Sequence, residues 1–364
     1  MHRRTFLGLS GALLAAGAFG GWTLVSRGNR PLALSARNDA DGTHYAVGYY
    51  LNGTQAFATR VSERCHDVTV HPSLPLAVFV GRRPSRESYL IDLRDGRLLQ
   101  TLTSPANRHF YGHGVFHQAG EFFYSTENDT AEPGRGLLGV YRLQDHRLLR
   151  VAEHPTHGVG PHQVLWMPDG ETLAVANGGI RTEADSRAML NLASMEPSLV
   201  LMTRNGELLS KERLAQPMNS VRHMAVARDG TLVTGQQYEG DAEHVAPLVA
   251  IKRPGQSFQP FPLGELQRQA MRQYTASVAI HDELRLLAIT APRGNRFYIW
   301  HLDSAELLLD AALPDCAGVA ASRDGFVVSA GVGRCRHYDC RGAQIAATHL
   351  PLPAGLWDNH LRLA

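Results

Sequence analysis

The chain has 364 residues, of which 44% are hydrophobic and 19% charged, with a formal net charge of +2 at pH 7. Such a length ordinarily implies two or three domains, yet no linker or low-complexity tract divides it. A charge this close to zero excludes the basic bias that nucleic acid would require.

The N-terminus reads His2-Arg3-Arg4-Thr5-Phe6-Leu7, followed by an uncharged, Gly- and Ala-rich apolar stretch over 8–25 with a candidate cleavage site at Ala16-Gly17-Ala18. Paired arginines ahead of a mildly apolar run are the pattern of a twin-arginine export signal, here over residues 1–26, and predict a periplasmic protein. A Sec signal that carries two arginines and an uncleaved anchor are the competing readings. Loss of Arg3 and Arg4 takes the formal charge from +2 to 0. No other stretch is long and apolar enough to span a bilayer, so the mature chain is expected to have no membrane span.

From residue 27 to 364 the chain reads as one domain of repeated antiparallel strands. Outer strands are predicted at 45–51 and 54–61. First strands of successive copies then begin at Cys65-His66-Asp67-Val68, Gly112-His113-Gly114-Val115, Pro161-His162-Gln163-Val164 and Arg222-His223-Met224-Ala225, and two more begin at Ser277 and Gly318. Second strands follow at 76–80, 121–125, 172–176, 231–235, 286–290 and 326–330. The turns between them repeat Pro168-Asp169-Gly170, Arg228-Asp229-Gly230 and Arg323-Asp324-Gly325, and hairpins close on Asp95-Gly96 and Asn205-Gly206, pairs that tolerate the positive φ of tight turns. The last copy, Asn359-His360-Leu361, falls at the C-terminus.

Intervals of 47, 49, 61, 54, 41 and 42 residues between equivalent positions match the period of a four-stranded propeller blade. The expected fold is therefore all-β: a single seven-bladed β-propeller closed by the C-terminal strand, which supplies the innermost strand that the first blade lacks. A large β-sandwich or barrel is the competing fold. Two insertions, 127–135 and 181–196, follow second strands. Among the four cysteines, Cys335 with Cys340 and Cys65 with Cys316 are the conceivable disulfide pairs, with free buried thiols as the alternative.

The chemistry concentrates at one end of the hub. His66, His113, His162, His223 and His360 occupy the same place in successive copies, and Ser277 and Gly318 leave the remaining arc open. One such histidine alone reads as a hydrogen-bonded structural residue. Five in register predict metal ligands, because neutral imidazole suits zinc, copper, iron and nickel. Binding would then weaken as pH falls through about 6.5, where free imidazole protonates. Residues that end second strands return to the same mouth, which makes Glu127, Asn128, Asp129, Asn177, Gln236 and Arg293 the candidate cofactor-binding set, with Arg82, Arg83 and Arg222 able to attract an anion or pair with the acids. No phosphate loop, nucleotide fingerprint or covalent haem motif is present.

The words Cys65-His66-Asp67, Gly112-His113-Gly114-Val115-Phe116, Thr126-Glu127-Asn128-Asp129, Gly160-Pro161-His162, Asn177-Gly178-Gly179-Ile180, Met195-Glu196-Pro197-Ser198-Leu199, Gly235-Gln236-Gln237 and Trp357-Asp358-Asn359-His360 resemble a bacterial family of twin-arginine-exported proteins known as a domain of unknown function. The resemblance runs over nearly the whole mature chain. It implies a periplasmic propeller encoded beside imelysin-type iron-uptake proteins, and so a link to iron uptake and an imelysin-type partner. A transition-metal protein is the expected function, the ion being iron, copper or zinc. A metal-assisted hydrolase or oxidoreductase, and a docking scaffold with structural histidines, are the alternatives.

Overall fold

The computed structural model describes residues 31–364 except positions 185, 187 and 354. The export segment expected over 1–26 lies outside the described residues. No helix among the described residues is long and apolar enough to cross a membrane.

Seven antiparallel sheets, joined in sequence, make the seven blades of a β-propeller. Blade 2 consists of strands Cys65–Val70, Leu76–Gly81, Glu87–Asp92 and Leu98–Thr103, and blades 3 to 7 repeat the pattern with first strands Arg108–Phe116, Pro161–Trp166, Asn219–Val226, Val278–His281 and Cys316–Ala321. Short turns rich in Asp and Gly make each reversal. Gly170, Gly206 and Gly230 all sit at positive φ, a conformation that an L side chain resists. Inner strands read as near-continuous apolar runs because both faces are buried against neighbouring blades. Each of the seven blade interfaces carries its own apolar cluster; Phe79 and Tyr89 lie in the one between blades 1 and 2, and Phe297 and Tyr338 in the one between blades 6 and 7.

Blade 1 is built from both ends of the chain. Its second strand is Leu32–Asn38, which the apolar alternation did not single out, and its outer strands are His44–Tyr50 and Gln55–Val61. The innermost strand comes from the C-terminus as predicted, but in two pieces. Leu356–Trp357 pairs with Asn38 and Arg37, and Arg362–Leu363 pairs with Leu34 and Ala33. Reciprocal bonds between Leu32 and Ala364, each 2.9 Å, lock the last residue in place.

All four cysteines are free thiols, so neither conceivable disulfide forms.

A candidate metal centre in the hub

The first strand of most blades departs from regular pairing just where the histidines lie. Cys65 faces Gly81 but Asp67 faces Val80, leaving His66 as an extra residue. Pro161 faces Asn177 while Gln163 faces Ala176, leaving His162. In blade 5 the extra residue is Arg222, next to His223. In blade 3 the shift spans Phe110 to Gly114 and includes His113. The four residues 358–361 between the two pieces of the C-terminal strand contain His360. A bulge re-aims a side chain out of the alternating pleat, and here it turns imidazoles into the hub. Carbonyls freed from the ladder are caught by hydroxyls of second strands: Thr126 donates to His113 and His162, and Ser35 donates to His360 at 2.6 Å.

His66, His113, His223 and His360 bring one ring nitrogen each to within 4.8 Å of one another, and all four rings are buried. His162 stands beside this set, its Nε2 2.9 Å from Nε2 of His223. Ring centroids of His113 and His360 are 4.7 Å apart, and those of His66 and His360 4.6 Å.

The outer nitrogens have defined partners. Nδ1 of His66 donates to Asp358 at 2.8 Å, and Nδ1 of His113 donates to Asp67 at 2.9 Å. Ser277 donates its hydroxyl to the Asn359 carbonyl at 2.8 Å, so at 3.1 Å it accepts from Nδ1 of His360. Each of these bonds places the proton on Nδ1 and leaves the Nε2 lone pair pointing inward. Where His223 donates from Nε2 to His162, its Nδ1 is left as the free lone pair. Nε2 of His113, Nε2 of His360 and Nδ1 of His223 are buried without a hydrogen-bond partner among the described residues.

The two carboxylates are held ionised. Burial alone would raise Asp358, but the His66 bond and the charges of Arg82 and Arg64 outweigh it and hold its carboxyl well below the usual range. Arg64 and Arg82 lie 2.7 and 2.9 Å away. Asp67 is likewise raised by burial and lowered further by Arg362, by His113 and by the Val68 amide. Burial dominates at the imidazoles. It lowers His66 to about 4 against the pull of Asp358, and it lowers His162, His223 and His360 well below 6.5, helped by their neighbours. These four rings, His66, His162, His223 and His360, are therefore neutral at neutral pH, and they protonate below the 6.5 expected of isolated imidazole.

Histidines elsewhere in the chain show what a structural role looks like. Nδ1 of His71 accepts from the Ser73 and Leu74 amides, while its Nε2 donates to Gly120 of the next blade at 3.0 Å. His117 and His281 staple blades 3 to 4 and 6 to 7 in the same way. Both nitrogens of each are satisfied; those of the hub are not.

An ion fits this donor set. Tetrahedral bonds of about 2.1 Å to nitrogen place ligands roughly 3.4 Å apart. The four nitrogens lie within 4.8 Å of one another, near enough that they could hold one ion after a modest contraction. Four imidazoles with carboxylates behind two of them are a donor set that suits a transition-metal ion.

The remaining predicted residues lie elsewhere around the hub. Glu127 is fully buried inside blade 3, accepting from Arg150 at 2.8 Å, Tyr141 at 2.8 Å and Ser125 at 3.0 Å. Asp129 pairs with Arg108 at 2.8 Å and with Arg135, and Asn128 contacts His109 at 3.0 Å. Asn177 donates to the Thr156 carbonyl, Gln236 to the Thr234 hydroxyl, and Arg293 lies over the Tyr274 ring. Glu127 and Asp129 do not belong to the group of candidate ligands formed by the four histidines. Sequence reasoning passed over Asp67, Asp358 and the acceptor role of Ser277, although Asp67 directly follows His66 and Asp358 lies two residues before His360. On the opposite face the channel opens as a funnel of about 870 Å³, lined by Val115, Trp166, Met224, Ile280 and Leu363 among others.

The model of a family described as a protein of unknown function, DUF1513, matches residues 59–364. The chain belongs to this family. Among curated proteins none matches the sequence. Solved structures similar to this DUF1513 chain include a putative 6-phosphogluconolactonase from Bacteroides fragilis, with a TM-score of 0.62 and 11% identity over 92% of this chain and 98% of that one. The periplasmic gluconolactonase of Pseudomonas aeruginosa gives 0.61 and 14% over 92% and 99%. Hydrazine synthase of Kuenenia stuttgartiensis gives 0.60 and 14% over 87% and 95%. At these identities the likeness shows the propeller fold alone.

Proposed function

We propose that this protein is a periplasmic propeller that binds one first-row transition-metal ion through His66, His113, His223 and His360. The observation that carries the reading is the convergence of four buried imidazoles, three of them with a buried and unpaired ring nitrogen and three with the proton held on the outer nitrogen. A purely structural cluster would leave three ring nitrogens desolvated and unpaired, at about 1–3 kcal/mol each. The stapling histidines avoid that cost, which disfavours a docking scaffold with structural hub histidines. In this reading His162 sets the tautomer of His223 and is not itself a ligand. The twin-arginine segment supports the periplasmic placement. The family resemblance supports service in iron uptake beside an imelysin-type partner, and iron is the first ion to test.

The test is elemental analysis of protein recovered from the periplasm after native export, beside a His113→Ala/His360→Ala variant. Near-stoichiometric iron, copper or zinc in the parent and its loss in the folded variant is the expected result. Metal content at background in the parent, together with no uptake when the chelated protein is titrated with iron(II), copper(II) and zinc, would overturn the reading.

A further inference from the structure

The funnel on the face opposite the histidine mouth runs inward to the back of the histidine cluster. Gly114 follows directly on His113 and Met224 on His223, while Arg362 and Leu363 come just after His360, and all four residues line the funnel. Its volume of about 870 Å³ lies within the range of about 300–1,000 Å³ typical of small-molecule sites. The wall is apolar and incompletely covered: Val115, Leu165, Trp166, Val226 and Ile280, from four different blades, are half-buried. Charge at the rim is balanced, Arg228 and Arg323 standing with Asp282 and Glu283 in the turns between first and second strands, and Arg228 pairs with Asp282 at 3.3 Å. Away from those turns, Arg362 is the one charged side chain among the described residues that line the funnel. It reaches inward to Asp67, with Nη2 3.4 Å from the carboxylate that takes the Nδ1 proton of His113 at 2.9 Å. That contact places the guanidinium at the inner end of the funnel.

We propose that the funnel is a binding site for a small amphipathic carboxylate, its apolar body against the blade walls and its head group on the fork of Arg362. Asp67 is the one ion-pair partner of Arg362 among the described residues, and 3.4 Å is long beside the roughly 2.7–2.9 Å of a charge-assisted bond. The same carboxylate already accepts from His113 and from the Val68 amide at 2.8 Å. Arg362 keeps 41% of its side chain exposed, so most of its N–H donors are open to a planar acceptor from the funnel. Covering the apolar wall is favourable at about 25 cal/mol per Å², which rewards a ligand with an apolar body over a bare anion. A single cation with Asp67 behind it, and with Asp282 and Glu283 at the entrance, suits one negative charge better than a phosphate dianion. The site stands on the funnel and Arg362 and does not require an ion on the histidines, although a ligand held there would lie next to it.

Calorimetric titration of the exported protein, as isolated and after chelation, with octanoate, octylammonium and acetate tests this assignment. Octanoate should bind both preparations. Octylammonium, which has the wrong charge, and acetate, which lacks the body, should bind about tenfold more weakly or worse. Arg362→Gln should weaken octanoate about tenfold and abolish its advantage over octylammonium. Arg362→Lys, which keeps the charge but not the fork, should fall between the two and serves if Arg362→Gln does not fold. Ala225→Trp, which narrows the funnel, should weaken octanoate while leaving Arg362 in place. No octanoate binding at millimolar concentration, equal binding of the two octyl compounds, or octanoate binding unchanged by the Arg362 substitutions or by Ala225→Trp would overturn the proposal. So would binding that vanishes on chelation, because the carboxylate would then be a ligand of the ion. Metal content measured on the same samples reports separately on the histidine reading.

Discussion

Hub and rim histidines of this chain are distinguished by what the second ring nitrogen touches. His71 uses both nitrogens to staple blades, whereas His113 uses Nδ1 on Asp67 and holds Nε2 buried and unpaired. Asp67 therefore acts through His113, fixing its tautomer and ring orientation. Asp67→Asn keeps an acceptor oxygen but removes the charge, and should weaken metal affinity by about 10–100-fold without loss of fold; competition against a chromophoric chelator reads the change. The same burial makes stability depend on pH. His66 titrates at about 4 in the folded state and at about 6.5 unfolded, so between these values the unfolded chain binds the proton that the native hub refuses. Its contribution is complete above pH 6.5 and is lost as pH falls toward 4, roughly 3 kcal/mol in all. His162, His223 and His360 act in the same direction, and the depressed Asp67 and Asp358 add to acid lability only below the ordinary carboxylate range. Thermal midpoints of the chelated protein should drop steeply from pH 6.5 to 4.5, and His66→Ala should flatten that profile.

At the scale of the strand, the bulge is the device that makes the site, and Gly112 shows how tightly it is drawn. Its φ is +105°, and a Cβ there would come within 2.6 Å of Cδ2 of His66. Gly112→Ala should cost about 1–3 kcal/mol in backbone strain and, by displacing His66, lower metal affinity as well. Gly42→Ala is the control: Gly42 also has positive φ, but nothing lies within 4 Å of its Cβ position, so thermal stability should fall without a change in metal binding. Bulges of this kind cannot be read from apolar periodicity, which registers strands and not their defects. The Asp-Gly turns, the paired apolar runs and the shared histidine position were legible because each is a local signal. Leu32–Asn38 was not, since Leu-Ala-Leu-Ser-Ala-Arg-Asn has no β-branched residue and only a weak alternation. Glu127, Asn128 and Asp129 were correctly placed near the end of a second strand. The direction of each side chain depends on partners such as Tyr141, Arg150, His109 and Arg108, which only the folded blade brings near. Asp358 and Asp67 serve histidines of neighbouring blades, and that adjacency is a property of the ring.

For the molecule as a whole, closure and chemistry are carried by the same few residues. The C-terminal strand supplies Trp357 and Leu361 to the apolar cluster between blades 7 and 1, Asp358 to His66, His360 to the hub and Arg362 to Asp67. Deleting residues 356–364 removes the innermost strand of blade 1 and exposes the edge of Leu32–Asn38, so the truncated chain should aggregate or lose its cooperative thermal transition. A truncated chain that stays monomeric with an unchanged midpoint would show that the ring does not depend on this strand. Because His360 arrives only with closure, an ion bound in the hub favours the closed ring over any state in which the C-terminus has peeled away. Binding confined to the native state stabilises it by about 2.7 kcal/mol when free metal is a hundredfold above the dissociation constant. Metal-loaded protein should accordingly melt several degrees above chelated protein. His360→Ala, which keeps the backbone pairing of the closing strand but removes its ligand, should melt at one temperature with or without metal. A metal-dependent rise of parental size in that variant would place the ion elsewhere in the protein and separate closure from coordination.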